Sequence, residues 1–340
     1  MPSISGKKFV ILGGASQVGS HIGEQLLAGG AREVVLLDNL SLGSTETMQP
    51  LLEDSRCNFV RADVLRLNEL FDPLAGTDGV FHVAGIMATT IGENPWMSLD
   101  VNIRGVQNTL EACRYQGVRK VVFSSSVGVY GAPQDDPTDE DSPMRWQVVP
   151  TASVLYGASK VMGEGLARLY RERHGIDFVA LRYSAVYGER QHRRAVMGGH
   201  IAETCERIRS GRPPIIDGDG QQVQDYVYAG DVARANLMAM EGAVTGEGIN
   251  ICAGADTSQN RVVEIVTQAC GSSLKPEYRP LVVTRLPPST RQGYSRDKAK
   301  RLLGWEPQVS IEEGIGKVLS WVDGRHKDAE VLRDATRGTQ

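Results

Sequence analysis

The chain has 340 residues, 41% hydrophobic and 23% charged, with a formal net charge of −4. That length buries a substantial core, as one large domain or two smaller ones. The weak acidity excludes a global field for nucleic acid or an anionic membrane, and no apolar stretch nears membrane-spanning length, so a cytoplasmic protein is expected.

Taken in chain order, "KKFVILGG" is a short apolar strand ending in glycines, and "SHIGEQLLAGG" then carries apolar residues at helical spacing. "EVVLLDN", "NFVRADV", "GVFHVAG" and "KVVFSSS" are further strands, separated by helix-like segments such as "WMSLDVNIRGVQNTLEACRYQG". "GAPQDDPTDEDSPMRWQVVP" holds four prolines and is a loop, either a lid or a surface excursion. A long helix beginning near "YGASK" precedes a sixth strand, "DFVALRYS". After Tyr183 the pattern loosens, with "GINICAG" returning to the main sheet. Apolar strands alternating with helices argue for a doubly wound parallel sheet, an α/β fold of Rossmann type with a smaller C-terminal α/β region. The expected division is a dinucleotide-binding domain over 1–183, with return segments near 225–255. A mainly substrate-binding region over 184–330 and a tail over 331–340 complete it. The five cysteines (Cys57, Cys113, Cys205, Cys252, Cys270) lack metal-ligand spacing and read as reduced core thiols, so no metal is expected.

Two places carry chemistry. Gly13 and Gly19 bracket a tight turn into a helix, whose N–H groups and positive dipole end suit a pyrophosphate. Asp38 closes the next strand 19 residues after Gly19, where a carboxylate can take both hydroxyls of an adenosine ribose. It would repel a 2′-phosphate, so NAD is favoured over NADP. Asp63 and Val64 end a third strand near the expected adenine. In "VLYGASK", Tyr156 and Lys160 are four apart and share a helix face. An ammonium beside a phenol lowers its pKa by roughly 1–3 units, letting it move a proton to or from an alcohol. The serines of "FSSSVGVYG" end the strand expected to open beside the nicotinamide, where a hydroxyl can hold the reacting oxygen.

With these residues the chain resembles the extended short-chain dehydrogenase/reductase superfamily, in its NAD-dependent sugar epimerase/dehydratase branch. The likeness runs from about Phe9 to Trp321, through "VVLLDNLSLG", "FHVAG", "FSSSVGVYG", "YGASK", "LRYSAVYGERQ", "GDGQQVQDYVYAGDVARA" and "LLGWEPQVSIEEGI". The resemblance implies that Ser126, Tyr156 and Lys160 are catalytic. It also implies that Gly13, Ser16, Gln17, Val18, Gly19, Asp38, Asn39, Asp63, Val64, Val83, Ala84, Lys160 and Tyr183 bind the cofactor. Ser125, Ala185, Gln224 and Arg285 fall on its substrate side, His82 reads as structural, and His21 is assigned no chemistry.

The dehydratases of this family place an Asp–Glu pair after the catalytic hydroxyl. Val127 and Gly128 stand there instead, which matches the epimerase arrangement of Ser, Tyr, Lys and NAD. Ser16 replaces the middle glycine of the GxxGxxG turn, and either crowds the pyrophosphate or donates to it. Ala185 and Gln224 replace an asparagine and an arginine that contact the substrate's diphosphate part. Losing the arginine removes a bidentate phosphate fork. In "ERQHRR", Arg190, His192, Arg193 and Arg194 are either anion ligands near the pocket or a solvated loop. The expected activity is NAD-dependent epimerisation of a sugar or sugar nucleotide through a transient ketone. The alternative is a net dehydrogenase or reductase of a smaller, non-nucleotide hydroxy or keto compound. The family's usual homodimer is expected as well.

Overall fold

Each apolar run named above is a strand, and seven of them form one parallel sheet in the computed structural model. The structure describes residues 4–132, 137–147, 149–191, 199–280 and 293–337. The strands are β1 (Lys8–Leu12), β2 (Glu33–Asp38), β3 (Cys57–Arg61), β4 (Gly79–His82), β5 (Lys120–Ser126) and β6 (Asp177–Tyr183). Three short strands follow, β7 (Ala185–Tyr187), β8 (Ile215–Asp217) and β9 (Val223–Tyr228), before β10 (Glu247–Ile251) rejoins the sheet. Two more, β11 (Asp256–Ser258) and β12 (Glu277–Arg279), complete the set. The spatial order is β10-β6-β5-β4-β1-β2-β3. From β1 the chain winds outward through β2 and β3, then returns to lay β4, β5 and β6 on the other side. The winding reverses between β1 and β4, where a crevice opens beyond the strand ends and such sheets bind their ligands.

Helices cover both faces. They are α1 (Gln17–Ala28), α2 (Thr45–Leu52), α3 (Leu67–Leu74), α4 (Ala88–Glu93), α5 (Pro95–Leu99), α6 (Val106–Gln116) and α7 (Thr151–His174). Beyond the first half come α8 (Gly199–Arg209), α9 (Ala229–Glu241), α10 (Gln259–Ala269), α11 (Asp297–Leu303) and α12 (Ile311–Arg337). Because side chains alternate along a strand, Phe9 and Ile11 enter one core layer while Val10 and Leu12 enter the other. Each such buried side chain contributes about 1.5–3 kcal/mol, so continuous apolar runs are what a doubly covered sheet requires. A third cluster, with Tyr187, Ile201, Tyr226, Val262 and Ile315, forms the core of the C-terminal region. Trp305 is fully buried and its indole donates to Asp231 O at 2.9 Å, tying that region to α9.

Two details position the site. Helix α7 lies directly against β5 and the turn that follows it, because Gly163 and Gly157 present no side chain there. A Cβ on Gly157 would lie 2.3 Å from Gly128 O, and one on Gly163 would lie 2.6 Å from the Phe123 ring. The stretch "WMSLDVNIRGVQNTLEACRYQG" is not one continuous α-helix. Between α5 and α6 a π-helical turn spans Asp100–Gly105. At its centre Asn102 turns inward and takes both backbone groups of Ile86, accepting from N at 2.7 Å and donating to O at 2.9 Å. Among the described residues, no helix is long and apolar enough to cross a membrane.

Candidate active site

The turn after β1 leaves no room for side chains. Gly13 has a φ of +86°, and a Cβ there would lie 2.7 Å from Ala84 N. A Cβ on Gly19 would stand 2.3 Å from Gly13 O. Ser16 caps α1, its hydroxyl donating to Gly13 O at 2.6 Å and accepting from Gly19 N at 3.1 Å. The hydroxyl is therefore folded back onto the turn. Gln17 sends its side-chain amide to Gly188 O (2.8 Å) and Glu189 O (3.0 Å), and Val18 packs on the core. Both stand in the first turn of α1, whose N–H groups the helix itself leaves unpaired.

Asp38 lies at the crevice, one oxygen accepting from Ala15 N at 3.1 Å and the other from Leu40 N at 2.8 Å. Burial pushes its carboxyl up, and the two backbone bonds pull it back. Asn39 donates to Asp63 at 3.1 Å, joining the ends of β2 and β3. Asp63 is braced further, its N–H held by Glu69 at 2.9 Å and its carboxylate by Leu65 N at 2.9 Å. Val64 is buried and its carbonyl accepts from Asn108 at 2.9 Å. The N–H groups of Val83 and Ala84 both reach Leu12 O at 2.8 Å, closing the crevice floor.

Three side chains converge where β5 ends. Ser126 caps a short 3₁₀ turn, Val127–Tyr130, by accepting from Gly128 N at 3.0 Å. Ser126 Oγ and the Tyr156 ring lie on either side of Gly128, and the phenol donates to Met87 Sδ at 3.9 Å. Burial pushes the phenol above its usual range, and the neighbouring Ser126 hydroxyl draws it partly back. Lys160 donates to Ser124 O at 2.9 Å, with its ammonium 5.8 Å from the Tyr156 ring centroid. Burial brings this ammonium down to about 8, and the nearby Glu164 carboxylate pulls it back up. The phenol is thus raised by burial rather than lowered, and the Lys160 ammonium, on the same face of α7, is given to the end of β5. Gly128 explains the residues after Ser126. A Cβ there would lie 3.3 Å from both Ser126 Oγ and the Tyr156 ring, so a side chain would wedge against the pair.

Other residues at the site have no local sequence signal. Asn102, buried in the π-helical turn, donates to Ser159 Oγ at 3.1 Å, and Ser159 donates to Tyr156 O at 2.7 Å. The loop after β4 is thereby pinned to the helix carrying Tyr156. Glu164 accepts from Ser125 at 2.6 Å and from Arg182 by two bonds of 3.0 and 2.8 Å. His82 is neutral, pushed down to about 3 by burial and by Lys160, with Nδ1 3.0 Å from Thr109 Oγ1.

A family model described as the NAD-dependent epimerase/dehydratase family matches residues 9–252. The chain belongs to that family. A UDP-glucose 4-epimerase of Mycolicibacterium smegmatis is 35% identical over 92% of this chain and 97% of that protein. Among solved structures, UDP-glucose 4-epimerase of Thermotoga maritima with UDP-glucose has a TM-score of 0.84 at 31% identity, covering 94% of this chain and 99% of that one. The Thermus thermophilus UDP-glucose 4-epimerase complex with NAD has a TM-score of 0.81 at 32% identity, covering 93% and 99%. NAD is the cofactor of this epimerase/dehydratase chain. The side-chain-free turn at Gly13 and Gly19, the N-terminal end of α1 and the Asp38 carboxylate fit its pyrophosphate and ribose.

On the substrate side, several family positions are placed differently from the sequence reading. Ser125, expected to face the substrate, is 3% exposed and bound to Glu164. Strand alternation puts it with Phe123 on the α7 face, while Ser124 turns the other way to Tyr183 OH at 3.0 Å. Tyr183 is buried and its hydroxyl also accepts from Asn236 at 2.8 Å. Ala185 is 3% exposed, within the C-terminal core. Gln224 lies on β9 opposite Thr257, and its side chain makes no hydrogen bond among the described residues. Arg190 reaches Glu24 at 2.8 Å on α1, so it is an ion-pair partner there. Arg285, His192, Arg193 and Arg194 lie outside the described residues. The described part of the acidic loop is anchored. Thr138 is buried and joined to 293–295 by two backbone bonds, and Glu140 accepts from Asn250 N at 2.7 Å.

Proposed function

We propose that the protein is an NAD-dependent 4-epimerase of a nucleoside-diphosphate sugar, acting through a transient ketone. The observation that carries this reading is the convergence of Ser126 and Tyr156 at the end of β5, with Lys160 behind them and only Val127 and Gly128 following. NAD, when bound, supplies a reversible hydride acceptor for the carbinol carbon. Tyr156 takes the carbinol proton during oxidation and returns it during reduction. Ser126 holds the reacting oxygen and steadies the phenol. Lys160 supplies positive charge at the strand end, which favours the phenolate as the proton moves. No acid–base pair is available beside Ser126 to eliminate water, so the sugar leaves with its hydroxyls intact.

The region after residue 183 is read as the substrate side. A cytoplasmic homodimer is proposed too, the pairing surface including α7. Met162 and Leu169, seven apart on that helix, are 50% and 46% exposed, and Trp96 on neighbouring α5 is 86% exposed.

A second reading has its own observation: Ala185 is buried and Gln224 is uncharged where the family's sugar-nucleotide enzymes contact the diphosphate. Charged hydrogen bonds are typically worth ~1.5–3 kcal/mol each, so their loss favours a smaller, non-nucleotide substrate and net oxidation or reduction. Calorimetric titration of the NAD-loaded protein with UDP, dTDP and GDP separates the two. Saturable binding of UDP is expected. Binding of none of them would replace the epimerase reading with the dehydrogenase one.

A further inference from the structure

Strand register sets Ser125 of β5, Arg182 of β6 and Asn250 of β10 side by side in one row across three neighbouring strands. Glu164 of α7 meets this row. Its carboxylate accepts from Ser125 at 2.6 Å and from the Arg182 guanidinium at 3.0 and 2.8 Å. The remaining arm of the guanidinium donates to the Tyr130 hydroxyl at 2.8 Å, and that hydroxyl donates to Asn250 Oδ1 at 2.7 Å. The Arg182 and Glu164 side chains are only 11% and 14% exposed, so the pair is held largely out of water.

Both ends of this cluster bear on Ser126. Ser125 is the residue before it. Tyr130 ends the 3₁₀ turn that Ser126 caps by accepting from Gly128 N at 3.0 Å. One ion pair therefore grips the chain on each side of the Ser126 hydroxyl. A guanidinium–carboxylate fork is planar and directional. Apolar side chains of the same volume would avoid the desolvation of two charges, but would fill the space without fixing a direction.

We infer that Glu164 and Arg182 are positioning residues for the reaction, setting through Ser125 and Tyr130 where the Ser126 hydroxyl meets the reacting oxygen. The inference rests on the reading of Ser126 above and adds the residues that aim it. Because the pair acts through Ser126, its uncoupling should fall on kcat and leave KM and NAD binding alone.

The test removes each arm separately and leaves the ion pair whole, in Ser125→Ala and Tyr130→Phe. The rates are those of UDP-galactose conversion, with kcat expressed per NAD-loaded site so that loss of folded protein does not enter. Ser126→Ala is measured alongside. Glu111→Gln is the control, since Glu111 holds a similar cluster near the far end of α7, with Arg114 at 3.1 and 2.7 Å and Tyr170 at 2.8 Å. Each arm variant is expected to lower kcat per site by about 10- to 100-fold, the effect of a displacement near 1 Å, with KM held within about twofold. Glu111→Gln should keep the wild-type kcat per site. If one arm variant does not fold, the other decides alone. Wild-type kcat per site in the arm variants while Ser126→Ala is impaired overturns the positioning role and leaves the epimerase reading standing, as does an equal fall in Glu111→Gln. An unimpaired Ser126→Ala, or no turnover by the wild type, contradicts the reading on which the inference rests.

Discussion

Lys160 has a stability consequence that separates its charge from its packing. Its ammonium is buried, which brings its pKa down to about 8 in the folded chain. The unfolded chain keeps the ordinary lysine value near 10.4. Below about 8 the group is charged in both states, so the folded chain bears the full cost of burying it. As pH rises from about 8 towards 10.4, the folded chain releases the proton first and stability rises through this group. Lys160→Met should therefore melt at a higher temperature than the wild type at pH 7, by about 1–2 kcal/mol of stability, and lose activity. That lead should shrink between pH 8 and 10. Melting curves across this range check it, and a lead independent of pH would count against the buried charge. At this scale the sequence was legible where chemistry and spacing coincide, as in Tyr156, Lys160 and Ser126. It was not legible for Asn102, Glu164 and Met87, whose roles arise from contacts such as Asn102 with Ser159, 57 residues apart, and Met87 with Tyr156, 69 apart. No local pattern marks such pairs. Ser125 shows the same limit from the other side, since three like serines differ only in the face each presents.

Helix α7 is the element on which the site depends, because it carries both Tyr156 and Lys160 against the end of β5. Its approach is set by Gly157, where a Cβ would lie 2.3 Å from the Gly128 carbonyl oxygen, a backbone atom that cannot rotate away. Gly157→Ala should destabilise the fold by about 1–3 kcal/mol through overpacking, and should also lower kcat by shifting Tyr156 from Ser126. Gly165→Ala is the control on the same helix, since a Cβ there meets nothing within 4 Å. Thermal melts and steady-state rates of the two variants decide this, and equal behaviour would contradict the account. Elements with strong apolar runs were readable in advance, and all seven strands of the main sheet were among them. The three-residue strands β7, β8, β11 and β12 were not, being too short for any periodicity to register. The π-helical turn at Asp100–Gly105 escaped as well, because its cause is the distant backbone of Ile86.

At the scale of the whole molecule, the exposed Met162 and Leu169 of α7 are the argument for a second copy. Light scattering should give twice the 36.9 kDa chain mass for the wild type. Met162→Glu with Leu169→Glu should give the single-chain mass with the fold retained, and a wild-type monomer would remove the dimer from the account. The architecture was readable because winding direction and strand-end motifs follow from the order of the apolar runs. The closing of the C-terminal region on the sheet was less so, since it depends on single tethers such as Trp305 with Asp231 and Glu140 with Asn250.

The central claim is that oxidation at one carbinol is reversed on the same molecule. The most direct measurement is NMR of UDP-galactose deuterated at C4, incubated with the NAD-loaded protein while absorbance follows free NADH. Conversion to UDP-glucose with the deuterium still on C4 and no NADH released is the result expected. Accumulation of a ketone with stoichiometric NADH, or conversion with the C4 deuterium lost to solvent, would contradict it.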